Sequence, residues 1–150
     1  MLKVGDAAPD IELQTDAGET FHLSDSKGKR VVLYFYPRAD TPGCTVEACE
    51  FRDHWKKFAA KGAAVVGLSP DKPAAQAKFK TKFNLPFALL ADDQKAAAQA
   101  YGVWKEKSMY GKKVMGIERT TFVIGPDGKI EKIYAKVKAS GHAEKVLSEL

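Results

Sequence analysis

The run VVLYFY, Val31 to Tyr36, constrains this chain more than any other stretch. It has no charged or strongly polar position to turn toward water, so it reads as a strand buried on both faces. A strand of that kind needs covering layers on either side of its sheet. The chain then turns abruptly through PRADTPGC, Pro37 to Cys44. Thr41 precedes a proline, which pushes it out of the α region, and Pro42 suits the first position of a helix. Thr41 is therefore expected as a helix N-cap, its hydroxyl turned back toward the first turn. Counting on, Cys44 is the third helical residue. There it meets unpaired backbone N–H groups and the positive end of the helix dipole, which favour thiolate over thiol. Gly43 adds no side chain to crowd the sulfur. The carboxyl end of a strand in an α/β sheet is also where ligands and chemistry gather.

The remaining elements decide what surrounds that strand. IELQT and ETFHL, separated by DAG, read as an N-terminal hairpin. The helix that begins near Pro42 is expected to run to about Ala60. AAVVGLS, Ala63 to Ser69, is a second buried strand. KPAAQAKFKTKF opens a helix near Pro73, FALLAD is a short strand, and DQKAAAQAYG is a short helix ending at Gly102. TTFVIG and KIEKIYA are two strands joined by the turn PDG, and GHAEKVLSEL closes as an amphipathic helix. Strand–helix–strand alternation implies parallel pairing with right-handed crossovers, and the last hairpin must add antiparallel strands. The expected fold is α/β: a thioredoxin-like mixed sheet flanked by helices, preceded by a β-hairpin, in a single domain over residues 1–150. No linker, repeat or low-complexity tract interrupts it.

Composition narrows the function. With 45% hydrophobic and 29% charged residues, the chain has the profile of a soluble globular protein. MLKVGDAAPD has no apolar signal-peptide core, and no apolar run is long enough to span a bilayer. The expectation is a cytoplasmic protein, in which a disulfide is transient rather than structural. The net charge of +5 raises the question of nucleic acid. The lysines are interleaved with acids, however, and the densest group, Lys78, Lys80 and Lys82, falls on a surface helix without a nucleic-acid motif. A solvated basic surface that attracts acidic proteins is the plainer reading.

The chain has two cysteines, Cys44 and Cys49. On a helix, Cys44, Ala48, Phe51, Trp55 and Phe58 form one apolar stripe, so Cys44 faces the sheet. Cys49 lies about 140° around the axis, among Thr45, Arg52 and Lys56. A five-residue helical separation puts the Cα atoms about 8 to 9 Å apart, whereas disulfides need about 7 Å or less. The two thiols cannot bond while the helix is wound, so a disulfide formed in turnover requires its first turns to open. The pattern Cys44, Cys49, His54 splays around the axis and makes no tetrahedral metal set. A cysteine-protease reading lacks a histidine placed beside the nucleophile.

PRADTPGC fits the peroxiredoxin signature P-x-x-x-T-x-x-C. The longer YPRADTPGCTVEACEFRD, with YGVW and GIERTTFVIGPDGKI, resembles the bacterioferritin comigratory protein (PrxQ) group of that family. The opening VGDAAPDIEL is similar to the family's own. The resemblance implies a thiol peroxidase acting on hydrogen peroxide and organic hydroperoxides. By matching positions, Cys44 is the peroxidatic cysteine and Cys49 the resolving one. Thr41 holds the peroxide oxygens, Pro37 shields the pocket, Arg119 is the active-site arginine, and Glu47 orients it. The implied partners are a hydroperoxide and thioredoxin or a glutaredoxin-like reductant, with no metal or organic cofactor, in a monomer. Independently of the resemblance, TTFVI running antiparallel to VVLYFY brings Arg119 to the start of the Cys44 helix. The competing expectation is a surface arginine paired with Glu118. The resemblance suggests Tyr101 and Trp104 as pocket lining, whereas a Tyr/Trp pair after a short helix more often packs in a core, and neither is counted among the site residues.

Overall fold

A computed structural model describes residues 2–150. The chain runs β1 (Glu12–Thr15), β2 (Thr20–His22), a 3-10 turn, β3 (Arg30–Phe35), α1 (Pro42–Asp53), α2 (Trp55–Ala60) and β4 (Ala63–Ser69). It continues through α3 (Pro73–Phe83), β5 (Ala88–Ala91), α4 (Ala96–Ala100), β6 (Trp104–Met109), β7 (Lys112–Ile117), β8 (Thr120–Ile124), β9 (Ile130–Tyr134) and α5 (His142–Ser148). Seven strands form one sheet in the order β2-β1-β5-β4-β3-β8-β9. β3, β4 and β5 pair in parallel, while β8 lies antiparallel to β3. This is the expected mixed thioredoxin-like sheet, with the N-terminal hairpin added at the β5 edge.

β3 sits in the interior of the sheet and shows why its sequence beyond Arg30 carries no charged side chain. Val32, Tyr34 and Tyr36 point into a core closed by α1, α2, α3 and α5, with Phe51, Phe58, Phe79 and Val146. Val31, Leu33 and Phe35 point into a second core with Ile11, Leu23, Tyr101, Val103 and Ile117. The period of two sends alternate side chains to opposite faces, and both faces are covered. Burying residues of this size contributes roughly 1.5–3 kcal/mol each. Tyr101 packs tilted against Phe35 and edge-on against Phe122 and donates its hydroxyl to the Pro9 carbonyl at 2.6 Å, so of the two alternatives it takes the core.

Two local expectations are corrected. The helix after Cys44 does not run unbroken to Ala60: His54 leaves helical geometry (φ −101°, ψ 9°) and separates α1 from α2. The break re-aims the chain so that Trp55 lies against Phe87 and Phe58 against Phe51. The second is an omitted element. β6 and β7 form a separate two-stranded hairpin. Its strands, WKEKSM and KKVMGI, carry charges that mask any alternation. The readable signal is the turn: Tyr110 and Gly111 both take positive φ (52° and 77°), the geometry of a two-residue hairpin loop.

Candidate active site

The site is built at the junction of β3 and α1. Thr41 is the N-cap by backbone (φ −100°, ψ 157°), with Pro42 opening the helix. Its hydroxyl makes no bond to the first turn, contrary to expectation. It donates instead to the Arg38 carbonyl at 2.8 Å. The intervening Asp40 adopts left-handed geometry (φ 59°), which folds the chain so that this carbonyl lies within reach. Pro37 and Thr41 are both half-buried in this turn.

Cys44 is 2% exposed and belongs to the core with Ala48, Phe51 and Phe58, as the apolar stripe predicts. Cys49 is only half-buried, and both cysteines are free thiols.

Arg119 arrives from the other side. β8 pairs with β3 so that Thr120 lies opposite Phe35, which places the residue before Thr120 beside the start of α1. The guanidinium divides its donors between two groups. Nη2 donates to Cys44 Sγ at 3.4 Å, and Nη1 donates to Glu47 Oε1 at 2.7 Å. Glu118 takes Lys105 instead, at 2.8 Å, so the expected alternative pairing with Arg119 is absent. Gly43 explains how the guanidinium gets in. A Cβ there would stand 3.1 Å from Arg119 Nη2. The missing side chain therefore makes room for the arginine, a more specific role than general access to sulfur.

Glu47 is fully buried, and its second oxygen, Oε2, has no hydrogen-bond partner among the described residues. Burial pushes its carboxyl up to about 7, against the opposing pull of Arg119, with Glu50 adding to the rise. For Arg119, burial acts to lower the pKa, but Glu47 and Cys44 outweigh it and hold the group above its ordinary value. The arginine is thus a permanent cation wedged between a thiol and a buried acid. Such a donor fork stabilises negative charge on sulfur and on any oxygen brought beside it.

Sequence reading missed Lys107, on the β6–β7 hairpin. Its stem lies over Gly116, within 3.4 Å of where a Cβ would be. Burial and Arg119 lower its pKa, while Cys44 and Glu118 act in the opposite sense. The hairpin therefore brings a second cation toward the site. Only recognition of the turn at Tyr110–Gly111 could have signalled it.

A buried thiol at a helix start, gripped by an arginine that also holds a buried carboxylate, defines a thiol-chemistry centre on a thioredoxin-like sheet. Comparison with known proteins gives the class: a sequence model of the AhpC/TSA family matches residues 4–133, and the chain belongs to that family, the peroxiredoxins. Among curated relatives, it is 51% identical to peroxiredoxin Bcp of Bacillus subtilis over 99% of this chain and 95% of that protein. It is 45% identical to peroxiredoxin Bcp of Escherichia coli, over 99% and 96% respectively. Among solved structures, a PrxQ mutant from Xylella fastidiosa superposes with a TM-score of 0.95 at 36% identity, covering 99% of this chain and 95% of that one. A Xanthomonas campestris peroxiredoxin Q mutant gives 0.92 at 38% identity, with the same coverage. The resemblance to the PrxQ group therefore extends over the whole chain.

Proposed function

We propose that this protein is a two-cysteine peroxidase in which Cys44 reduces hydroperoxides and Cys49 resolves the product. The observation that carries the reading is the Arg119 guanidinium, hydrogen-bonded at once to Cys44 Sγ and to the buried Glu47. The Cys44 thiolate attacks the terminal oxygen of the hydroperoxide. The S–O bond forms as the O–O bond breaks, leaving Cys44 as sulfenic acid and releasing an alkoxide that takes a proton to become the alcohol, or water for hydrogen peroxide. Arg119 and the amides at the start of α1 stabilise charge on the attacking sulfur and on the leaving oxygen. Thr41 has spent its own hydrogen on Arg38, so its oxygen is left as an acceptor for the peroxide O–H. Pro37 shields the pocket, and Glu47 holds the arginine in place.

The first turns of α1 then open. The Cys49 thiolate attacks the Cys44 sulfenic sulfur, expelling hydroxide and forming the Cys44–Cys49 disulfide. A dithiol protein of the thioredoxin or glutaredoxin type returns both cysteines to thiols by exchange. Organic as well as inorganic hydroperoxides are proposed substrates: a solved relative from Xanthomonas campestris is described in terms of alkyl peroxide reduction.

Two measurements test the reading. Peroxide consumption with a thioredoxin system should be lost in Cys44→Ser. The intact mass of the wild type after one equivalent of peroxide should fall by two hydrogens, while Cys49→Ser should gain one oxygen. An active Cys44→Ser protein would rule the reading out.

A further inference from the structure

The loop between β3 and α1 carries Pro37 and Thr41, and within it the Thr41 hydroxyl is held by the Arg38 carbonyl at 2.8 Å. Arg38 and Asp40 are exposed. Asp40 is a non-glycine residue in left-handed geometry (φ 59°), a conformation that L side chains disfavour. Its ion pair with Lys82, at 2.9 Å, is solvent-exposed and contributes little.

The hold comes from the far end of β4. Ala39 N–H donates to Asp71 Oδ2 at 2.7 Å. Ser69 Oγ donates to the same oxygen at 2.6 Å. Gln76 Nε2 donates to Ser69 Oγ and to the Leu90 carbonyl, each at 2.8 Å. The chain of bonds ends at Tyr36, whose hydroxyl donates to Gln76 Oε1. Tyr36, Ser69 and Gln76 are fully buried. One continuous polar chain therefore grips the loop immediately before Pro37, through Tyr36, and again two residues after it, through Ala39. Asp71 itself is half-buried, but the chain behind it is buried and hydrogen-bonded, which makes it rigid, and bonds to a carboxylate are the stronger ones.

We propose that Asp71 is a positioning residue for the peroxidase reaction: by holding the Ala39 N–H it fixes Pro37 and Thr41 against Cys44 without touching the substrate. The inference rests on the peroxidase reading above and adds a residue to it. Asp71 acts through the loop. Its loss therefore penalises a reaction that needs the loop and spares one that needs only the sulfur. Reduction of hydrogen peroxide is the first kind. Alkylation of Cys44 by iodoacetamide, which asks only for thiolate and access, is the second.

The experiment compares Asp71→Ala and Asp71→Asn with wild type in both reactions. Asp71→Ala should lower the second-order rate constant for hydrogen peroxide roughly tenfold, as expected for a misplaced substrate-holding group. The alkylation rate of Cys44 should change less than about twofold. Asp71→Asn keeps an oxygen that accepts from Ala39 N–H, and should restore the peroxide rate to within about threefold. An alanine variant as fast as wild type with peroxide, or one in which both reactions fall together, overturns the proposal. Amide exchange at Ala39 in the folded wild type gives a second test that needs no variant. Protection supports the tether, and exchange at the rate of an open amide overturns it. The underlying reading fails separately, if Cys44→Ser still consumes peroxide.

Discussion

The two halves of α1 are held in different ways. Around Cys44, the helix meets the rest of the protein through one shared arginine and through small buried side chains, Cys44 and Ala48, with Glu47 buried beside the arginine. Beyond Cys49 it is tied down repeatedly. Glu50 Oε1 accepts from the Gly141 N–H at 2.7 Å, Arg52 Nη1 donates to the Phe83 carbonyl at 2.8 Å, and Phe51 is buried between Tyr34, Phe58 and His142. Gly43 and the exposed Val46 add no comparable anchor to the first half. The contrast suggests where a redox-coupled opening stops. In the proposed reaction, the turns from Pro42 to Cys49 unwind, while Glu50 to Asp53 stay fixed against α5 and α3. In that proposed reaction, the thiol that meets peroxide thus sits on the half with fewer anchors, and its proposed resolving partner at the boundary.

The largest effect is expected at the boundary. Cys49→Ser should be oxidised once by peroxide and then stop, so steady-state turnover with a dithiol reductant should fall by about a hundredfold or more. Undiminished turnover would mean that Cys49 takes no part in resolution. On the releasable half, Arg119→Ala should slow the peroxide reaction roughly 10²- to 10³-fold in stopped-flow. Arg119→Lys should recover only a small part, because a point charge cannot serve Cys44 and Glu47 together.

Glu47 makes a prediction in pH. Its carboxyl is pushed from 4.5 in the unfolded chain to about 7 when folded. Between those values the folded protein keeps a proton that the unfolded chain has released, so this residue's contribution to stability falls as pH rises through the window. His142 slopes the other way. Burial, with Lys145 and Arg119, pushes it down from 6.5 to about 4, and its contribution falls as pH drops through that range. The difference between Glu47→Gln and wild type isolates the glutamate. From pH 4.5 to 7 the variant should gain on the order of 2 kcal/mol relative to wild type in denaturant titrations. A difference independent of pH would contradict the buried, proton-holding Glu47.

The smallest effect belongs to the anchored half. Glu50→Ala removes the acceptor for Gly141 N–H and should cost about 1 kcal/mol. It should also let exchange on oxidation spread past residue 50 into the second half of α1.

Much of this was legible in the sequence, for physical reasons. β3 and β4 announce themselves because a strand buried on both faces is apolar along its length, with Arg30 and Ser69 only at the ends. Thr41-Pro42 fixes the start of α1, and the apolar stripe fixes which way Cys44 points. Arg119 was reachable because antiparallel pairing with β3 places it at the right end of the sheet. What the sequence hid was set by contacts distant along the chain or by turns with unusual residues. The Thr41 hydroxyl goes to Arg38 because Asp40 accepts a left-handed conformation, which no sequence pattern demanded. The tether from Ala39 to Asp71 spans 32 residues and leaves no periodic trace. The β6–β7 hairpin is charged along both strands and turns on Tyr110-Gly111 rather than on the usual Asn-Gly.

The most direct test of the two-halves contrast is amide hydrogen exchange across α1, before and after one equivalent of peroxide. The reduced protein should protect amides throughout the helix. In the disulfide form, identified by the loss of two hydrogens in mass, protection should vanish from about Cys44 to Cys49 and persist from Phe51 to Asp53. A disulfide form that keeps the first half of α1 protected would contradict it.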